Sequence, residues 1–230
     1  MDTNQEKGRY RHEWKREIGS ADLLALRVRL AAVAKRDPHA IDGRYQIRSL
    51  YFDTPDDQAL REKVDGVNAR EKFRIRYYNG CLSMIRLEKK SKRNGLCKKE
   101  SALLSVECVR ALLGGDNAAL LQNGQPLAAE LYSKMAGGGL RPKTIVDYTR
   151  EPFVFGPGNV RVTLDYGIRT GLGSTSFLDP CSVTVPAGDA PAILEVKWDE
   201  FLPDLIRDAV RLEAGRAGSF SKYAACRIYG

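Results

Sequence analysis

Histidine is almost missing from this 230-residue chain: only His12 and His39 occur. The five cysteines, at positions 81, 97, 108, 181 and 226, are odd in number and scattered, with no CxxC pair and no Cys/His cluster. A structural zinc site and a disulfide framework are excluded on that ground, and a reducing compartment is expected. No apolar run approaches the ~20 residues that a membrane-spanning helix needs. The opening stretch, "MDTNQEKGRYRHEWKREIG", has no apolar core of the kind a signal peptide carries. A cytoplasmic protein without a membrane segment is therefore expected. No repeat, low-complexity tract or linker interrupts the chain, so residues 1–230 are expected to form one domain.

Positive charge is what the chain has in excess. Lys+Arg number 37 against 29 Asp+Glu, a net charge of +8, while hydrophobic residues make up 43%, enough for a proper core. Such a balance favours anionic partners: nucleic acid, phosphorylated small molecules, polyanions or acidic surfaces.

The charge is patterned. In "NAREKFRIRYYNG" (68–80), Lys72, Arg74 and Arg76 alternate with Phe73, Ile75 and Tyr77, a strand with one cationic and one apolar face. Asn79-Gly80 predicts a two-residue hairpin turn, which leads to a partner strand carrying Glu88 and Lys90. Four further segments repeat the two-sidedness: Arg11, Glu13 and Lys15; Glu88 and Lys90; Arg161, Thr163 and Asp165; Glu195 and Lys197. Strands are also expected at 44–54 and at "KTIVDYTREPFV", and a turn at "RNG" leads into "LCKKESALL". Helices are expected after Ser20 as N-cap, over 55–66, after Ser105, across 116–140 and over 201–214. The economical fold class is α+β, dominated by antiparallel strands.

Two readings of the charged faces compete. A half-exposed sheet has core on one side and water on the other. Like charges facing each other across strands are destabilising, however, and here Lys and Arg recur with only isolated carboxylates between them. The alternative is a sheet closed on itself, charged face inward, with amphipathic helices covering the outside. Cations buried in such a barrel need a polyanion to neutralise them. A phosphate chain suits this role: Arg grips it bidentately and Lys acts as a point charge. The few carboxylates then serve a divalent metal. RNA readers place stacking aromatics beside their basic patch, whereas Phe73, Tyr77 and Trp198 fall on the opposite face, so nucleic acid is not the expected partner.

Seven pieces, "YRHEWK" (10–15), "SLYFDTPD" (49–56), "KFRIRYYNG" (72–80), "LEKK" (87–90), "LDYGIR" (164–169), "LEVKWD" (194–199) and "SFSKYAAC" (219–226), stand in an order that spans essentially the whole chain. In that order they resemble the catalytic domain of the vacuolar transporter chaperone (VTC) family, the polyphosphate-polymerase branch of the triphosphate tunnel metalloenzymes and a relative of the CYTH domain. The resemblance implies a closed antiparallel eight-stranded β tunnel with helices outside, which binds triphosphate and Mn²⁺ or Mg²⁺. It implies transfer of the γ-phosphoryl group of ATP to a growing polyphosphate chain. By matching motif, Arg74, Arg76, Lys90 and Lys222 are the expected catalytic phosphate ligands. Lys15, Arg11, Arg150, Lys197, Arg161, Lys72 and Ser221 are expected to bind substrate phosphates, with Lys98 or Lys99 adding to them. Glu195, Glu13, Glu88 and Asp165 are the expected metal ligands. One departure stands out: where tunnel triphosphatases carry an alternating E-x-E-x-K, this chain reads Arg11, Glu13, Lys15. Replacing an acid with a cation tilts the expectation from hydrolysis toward holding a long anion. Hydrolysis of triphosphates and non-catalytic polyanion binding remain the alternatives.

Overall fold

The computed structural model describes residues 11–93, 96–188, 192–212 and 220–227. Its strands are β1 (His12–Ile18), β2 (Lys35–Arg36), β3 (Tyr45–Asp53), β4 (Arg70–Tyr78), β5 (Cys81–Arg93), β6 (Leu96–Leu104), β7 (Arg141–Phe155), β8 (Val160–Thr170), β9 (Val185–Pro186) and β10 (Ala192–Trp198). Its helices are α1 (Ser20–Val33), α2 (Gln58–Val64), α3 (Val106–Leu113), α4 (Ala119–Gln122), α5 (Pro126–Gly138), α6 (Asp204–Ala209) and α7 (Lys222–Arg227).

Local chemistry accounts for most of these boundaries. The β4–β5 hairpin turns on Asn79 and Gly80, both at positive φ (51° and 70°), the pair of left-handed residues that matches the twist of the flanking strands. Ser105 caps α3, its hydroxyl accepting from the Cys108 amide at 3.1 Å. Three expectations shift. Gly19, not Ser20, is the N-cap of α1, where Asp22 accepts from the Gly19 amide at 3.4 Å. The proline-led segment after residue 54 enters its helix only at Gln58, because Asp57 is left-handed at φ 55°. The helix after Phe201 begins only behind Pro203 and is six residues long.

Eight long strands form one antiparallel sheet in the order β1-β10-β8-β7-β3-β4-β5-β6, with β2 added to β7 and β9 to β8. The sheet curls until its edges meet at a single antiparallel bridge, Arg11 with Cys97. Among the described residues the ladder between β1 and β6 extends no further. The tunnel is thus a curled half-barrel with a seam, not the fully hydrogen-bonded closure expected from the sequence. Side-chain charge spans that seam: Lys90 on β5 donates to both carboxylate oxygens of Glu13 on β1, at 2.9 Å each.

Helices cover the outside. Phe73, Ile75, Ile85 and Leu87 pack under Val109, Leu112, Leu120, Ala128 and Leu131 of α3, α4 and α5. Val162, Leu164, Leu194 and Val196 pack under Leu26 and Leu30 of α1 and Ile206 of α6. A fully buried side chain of this size contributes ~1.5–3 kcal/mol, so these two cores hold the curl in place. A third core lies on the inner side, where Tyr223 and Cys226 of α7 meet Tyr51, Tyr148 and Ile193. The C-terminal helix therefore sits within the curl and carries Lys222 into it. No helix among the described residues is long and apolar enough to cross a membrane, a statement that does not bear on strands. None of the five cysteines is in a disulfide.

Candidate functional site

The inner face of the curl encloses a cavity of about 540 Å³. Fifteen Lys and Arg residues line it against four carboxylates. So strong a surplus on partly buried walls disfavours an empty, dry interior and favours a multiply charged anion. Strand alternation supplies the lining: every second residue of β4, β5 and β10 points in, and its neighbours pack outward.

Arg74 and Arg76 form one wall. Arg74 lies 2.7 Å from Glu88 and donates to the Tyr51 hydroxyl at 2.7 Å. Arg76, only 2% exposed, lies 3.4 Å from Glu88 and donates to the hydroxyls of Tyr148 at 3.0 Å and Tyr78 at 3.2 Å. Glu88 also receives Lys99 at 2.7 Å, which selects Lys99 over Lys98 as the lysine tied to this wall. Burial pushes the Glu88 carboxyl up, but Arg76, Arg74 and Lys99 outweigh it and hold Glu88 well below the usual carboxylate range. Burial likewise raises the Tyr51 phenol, and Arg74 and Arg76 more than reverse this.

The opposite wall is an alternating ladder. Glu13 pairs in register with Lys197, and Lys15 with Glu195. Lys15 lies 2.8 Å from Glu13 and 3.7 Å from Glu195, and Lys197 lies 2.9 Å from Glu195 and 3.5 Å from Glu13. Burial and Glu195 push Glu13 up, but Lys15, Lys90 and Lys197 hold it at about 2. Glu195 is held well below its ordinary range against burial by Lys15, Lys197, Arg150 and Lys222. Deeper in, Asp165 takes a two-pronged grip from Arg150 at 2.7 Å and an ammonium from Lys222 at 2.5 Å.

The remaining candidates lie toward the rims. Arg11 pairs with Asp199 at 2.7 Å and Arg161 with Asp37 at 3.1 Å. Lys72 donates to Ser221 at 3.3 Å and lies over the Tyr223 ring. Burial, with Lys63 and Arg70, pushes the Lys72 ammonium down to about 7. All of these named cations line the one cavity. His12 stacks on Trp198 with ring centroids 5.4 Å apart.

The carboxylates differ in their fitness for a divalent ion. Asp165, with 0% exposure, and Glu88, with 2%, are enclosed by the cations they neutralise. Glu195 disfavours charge on Glu13, and the ammonium groups of Lys15 and Lys197 each reach both carboxylates. Among the described residues no group of three or more His, Cys, Asp or Glu side chains forms a metal cage. A Mg²⁺-type ion takes one or two carboxylates and completes its shell with water and substrate phosphates, and this donor set fits that mode.

Tyr51, Tyr78, Tyr148, Lys63, Arg70 and Lys92 also line the cavity and were not singled out from the sequence. From Ser49 onward β3 is buried on both faces, which erases the alternation that would have marked Tyr51 as inward.

Solved structures are similar to this chain. A Hippeastrum adenylyl-cyclase candidate, HpAC1, described as having a dominant triphosphatase activity, matches with 14% identity over 96% of both chains and a TM-score of 0.60. An adenylate-cyclase candidate from Bacillus halodurans matches with 13% identity over 83% of this chain and 81% of its own, TM-score 0.49. The Pyrococcus horikoshii protein PH1819 matches with 15% identity over 87% and 84%, TM-score 0.45. No curated protein matches the sequence. The VTC domain model matches residues 10–228, and the chain belongs to the VTC domain family.

Proposed function

We propose that this protein is a polyphosphate polymerase, which transfers the γ-phosphoryl group of ATP to the terminal oxygen of an inorganic polyphosphate chain held in the tunnel. ATP and a chain of n phosphates give ADP and a chain of n+1. Phosphoryl transfer requires in-line positioning and neutralisation of spreading charge more than covalent help from the protein. Arg74 and Arg76, braced by Glu88 and three tyrosine hydroxyls, present fixed forks to phosphate oxygens. Lys90, Lys15, Lys197, Arg150 and Lys222 present cations from the other walls. Glu13 and Glu195 would hold Mn²⁺ or Mg²⁺, which would supply neutralisation of negative charge on the phosphate oxygens.

One observation favours a phosphate acceptor over water. The chamber carboxylates are strongly paired, with Glu13 and Asp165 each held at about 2 and Glu88 and Glu195 well below the ordinary range. A general base works best with a pKa near the operating pH, and these groups are poor bases. A terminal phosphate oxygen is already anionic and needs none. Hydrolysis of triphosphates, the activity described for HpAC1, is the competing reading. Stoichiometry separates them: transfer releases ADP with little orthophosphate, and hydrolysis releases the two in equal amounts. Equal release would overturn the proposal.

A further inference from the structure

We infer that Thr163 on β8 is a further ligand of the divalent ion at Glu195, its hydroxyl oxygen joining the carboxylates of that wall. This rests on reading Glu195 as a metal ligand and adds a neutral oxygen donor to it. Thr163 is only 3% exposed and lines the central chamber. Its Oγ1 is nonetheless buried without a hydrogen-bond partner among the described residues. Leaving a buried hydroxyl unpaired costs free energy that a valine of the same shape would avoid. The position therefore calls for an occupant of the chamber that the hydroxyl contacts.

Strand pairing sets the surroundings of Thr163. The residue in register on β10 is Glu195, and on β7 it is Pro152. The proline ring offers no hydrogen-bonding group. Residues in register on one face bring their Cβ atoms to about 4.5–5.5 Å, which places the hydroxyl beside the Glu195 carboxylate. Lys197 lies 2.9 Å from Oε1 of that carboxylate, and Arg150 a longer 3.3 Å from Oε2. Two residues along β8, Asp165 gives both its oxygens to Arg150 and Lys222. Glu195 disfavours charge on Asp165, so two neighbouring carboxylates flank the hydroxyl. Arg161, two residues the other way, is drawn off to Asp37 at 3.1 Å.

These neighbours also indicate which ligand. A phosphate oxygen brought to Thr163 would face Glu195 and Asp165 and be repelled by both, whereas a divalent cation would be attracted by both. A Mg²⁺-type ion takes one or two carboxylates and accepts a serine or threonine hydroxyl beside them. Threonine suits the task because its branched Cβ restricts χ1 and so fixes the direction of the oxygen. The hydroxyl also adds no negative charge to a wall that must receive phosphate.

The test is a Mn²⁺ titration of the protein without nucleotide, followed by the electron paramagnetic resonance signal of the free ion. It compares the wild type with Thr163→Val, Thr163→Ser and Glu195→Gln. Thr163→Val should weaken Mn²⁺ binding about tenfold, and Thr163→Ser, which keeps the oxygen, should stay within about threefold of the wild type. Metal-free tripolyphosphate affinity and the metal-free denaturant midpoint should be no lower in Thr163→Val than in the wild type, because no hydrogen bond is lost. Unchanged Mn²⁺ affinity in Thr163→Val would overturn the assignment. So would a parallel loss of tripolyphosphate affinity, which marks a phosphate ligand, or a lower metal-free midpoint, which marks a structural hydrogen bond. Glu195→Gln separates the two levels. If it abolishes Mn²⁺ binding while Thr163→Val does not weaken it, the metal site stands and Thr163 is excluded from it. If Glu195→Gln leaves Mn²⁺ binding intact, the reading of Glu195 as a ligand fails and this inference fails with it.

Discussion

Lys90 Nζ on β5 stands 2.9 Å from both carboxylate oxygens of Glu13 on β1, so an ion pair crosses the seam of the tunnel. Glu13 serves Lys15 and Lys197 as well, at 2.8 and 3.5 Å. Three ammonium groups share one carboxylate, and the consequence is asymmetric. Glu13 is held at about 2 although burial and Glu195 oppose its charge. Lys90 is pushed down, first by burial and then by Lys15, more than Glu13 and Glu195 raise it. The chamber therefore has cationic charge to spare for a substrate.

Glu13→Gln should separate the roles of that carboxylate. Removing it frees three cations, so tripolyphosphate should bind more tightly in the absence of metal. The metal concentration for half-maximal turnover should rise, because one of two carboxylates is lost. Calorimetric titration and a metal-activation curve read the two effects. Weaker metal-free binding would contradict the arrangement.

Arg74→Ala should abolish most activity and leave the fold intact. Glu88 keeps Arg76 and Lys99 as partners, so no buried carboxylate is orphaned. Loss of one preorganised charge donor should lower turnover by ~10²–10³-fold, with a stability change under about 1.5 kcal/mol. Tyr51→Phe, which removes only the hydroxyl that braces Arg74, should cost a smaller factor, about tenfold or less. Initial rates and urea denaturation test both.

Asp165→Asn should instead be a stability lesion. Asp165 has 0% exposure and neutralises both Arg150 and Lys222. Burial pushes its carboxyl up, and Arg150 and Lys222 bring it down to about 2. Removing one side of a buried ion cluster costs ~3–5 kcal/mol. Asp204→Ala, which breaks the exposed pair with Arg207 on α6, should cost under ~0.5 kcal/mol. Denaturant midpoints of the two variants should differ accordingly, and added polyphosphate should restore part of the Asp165 loss by mass action.

The affinity for anions should depend on pH through Lys72, whose neighbours are Lys63, Arg70, Lys90 and Asp53. Burial and the nearby cations place it at about 7 in the folded chain, against ~10.4 unfolded. Below pH 7 the lysine is charged in both states, and the folded chain bears the whole cost of that charge. As pH rises from 7 toward ~10.4 the folded group is neutral while the unfolded one binds a proton, so stability rises over this window. A bound polyanion raises the folded pKa. Binding should therefore take up a proton just above neutral pH and weaken as pH rises through 7. Calorimetry in buffers with different protonation heats should show this uptake, reduced in Lys72→Met. Equal uptake in the two proteins would contradict it.

Legibility in the sequence followed burial. β4, β8 and β10 carry their charges on one face and their core on the other, so Arg74, Arg76, Arg161, Asp165, Glu195 and Lys197 stood out, and the structure brings all six to the inner face or the cavity itself. β3 and β7 are buried on both sides for much of their length. Tyr51 sits there between Leu50 and Phe52, and Tyr148 between Asp147 and Thr149, and neither setting shows that their hydroxyls brace Arg74 and Arg76. Lys63 on α2 reads as a solvated helix position. Only the approach of β4, β5 and α7 turns it into part of the cavity wall. The seam was equally invisible, since pairing between first and sixth strands depends on the curl of the sheet and not on either strand's pattern.

Resolving the products of a reaction with ATP and Mn²⁺ or Mg²⁺ on a gel tests the central claim most directly. A metal-dependent ladder of lengthening polyphosphate, lost in Arg74→Ala, is the expected result. Orthophosphate and ADP with no ladder would contradict polymerisation.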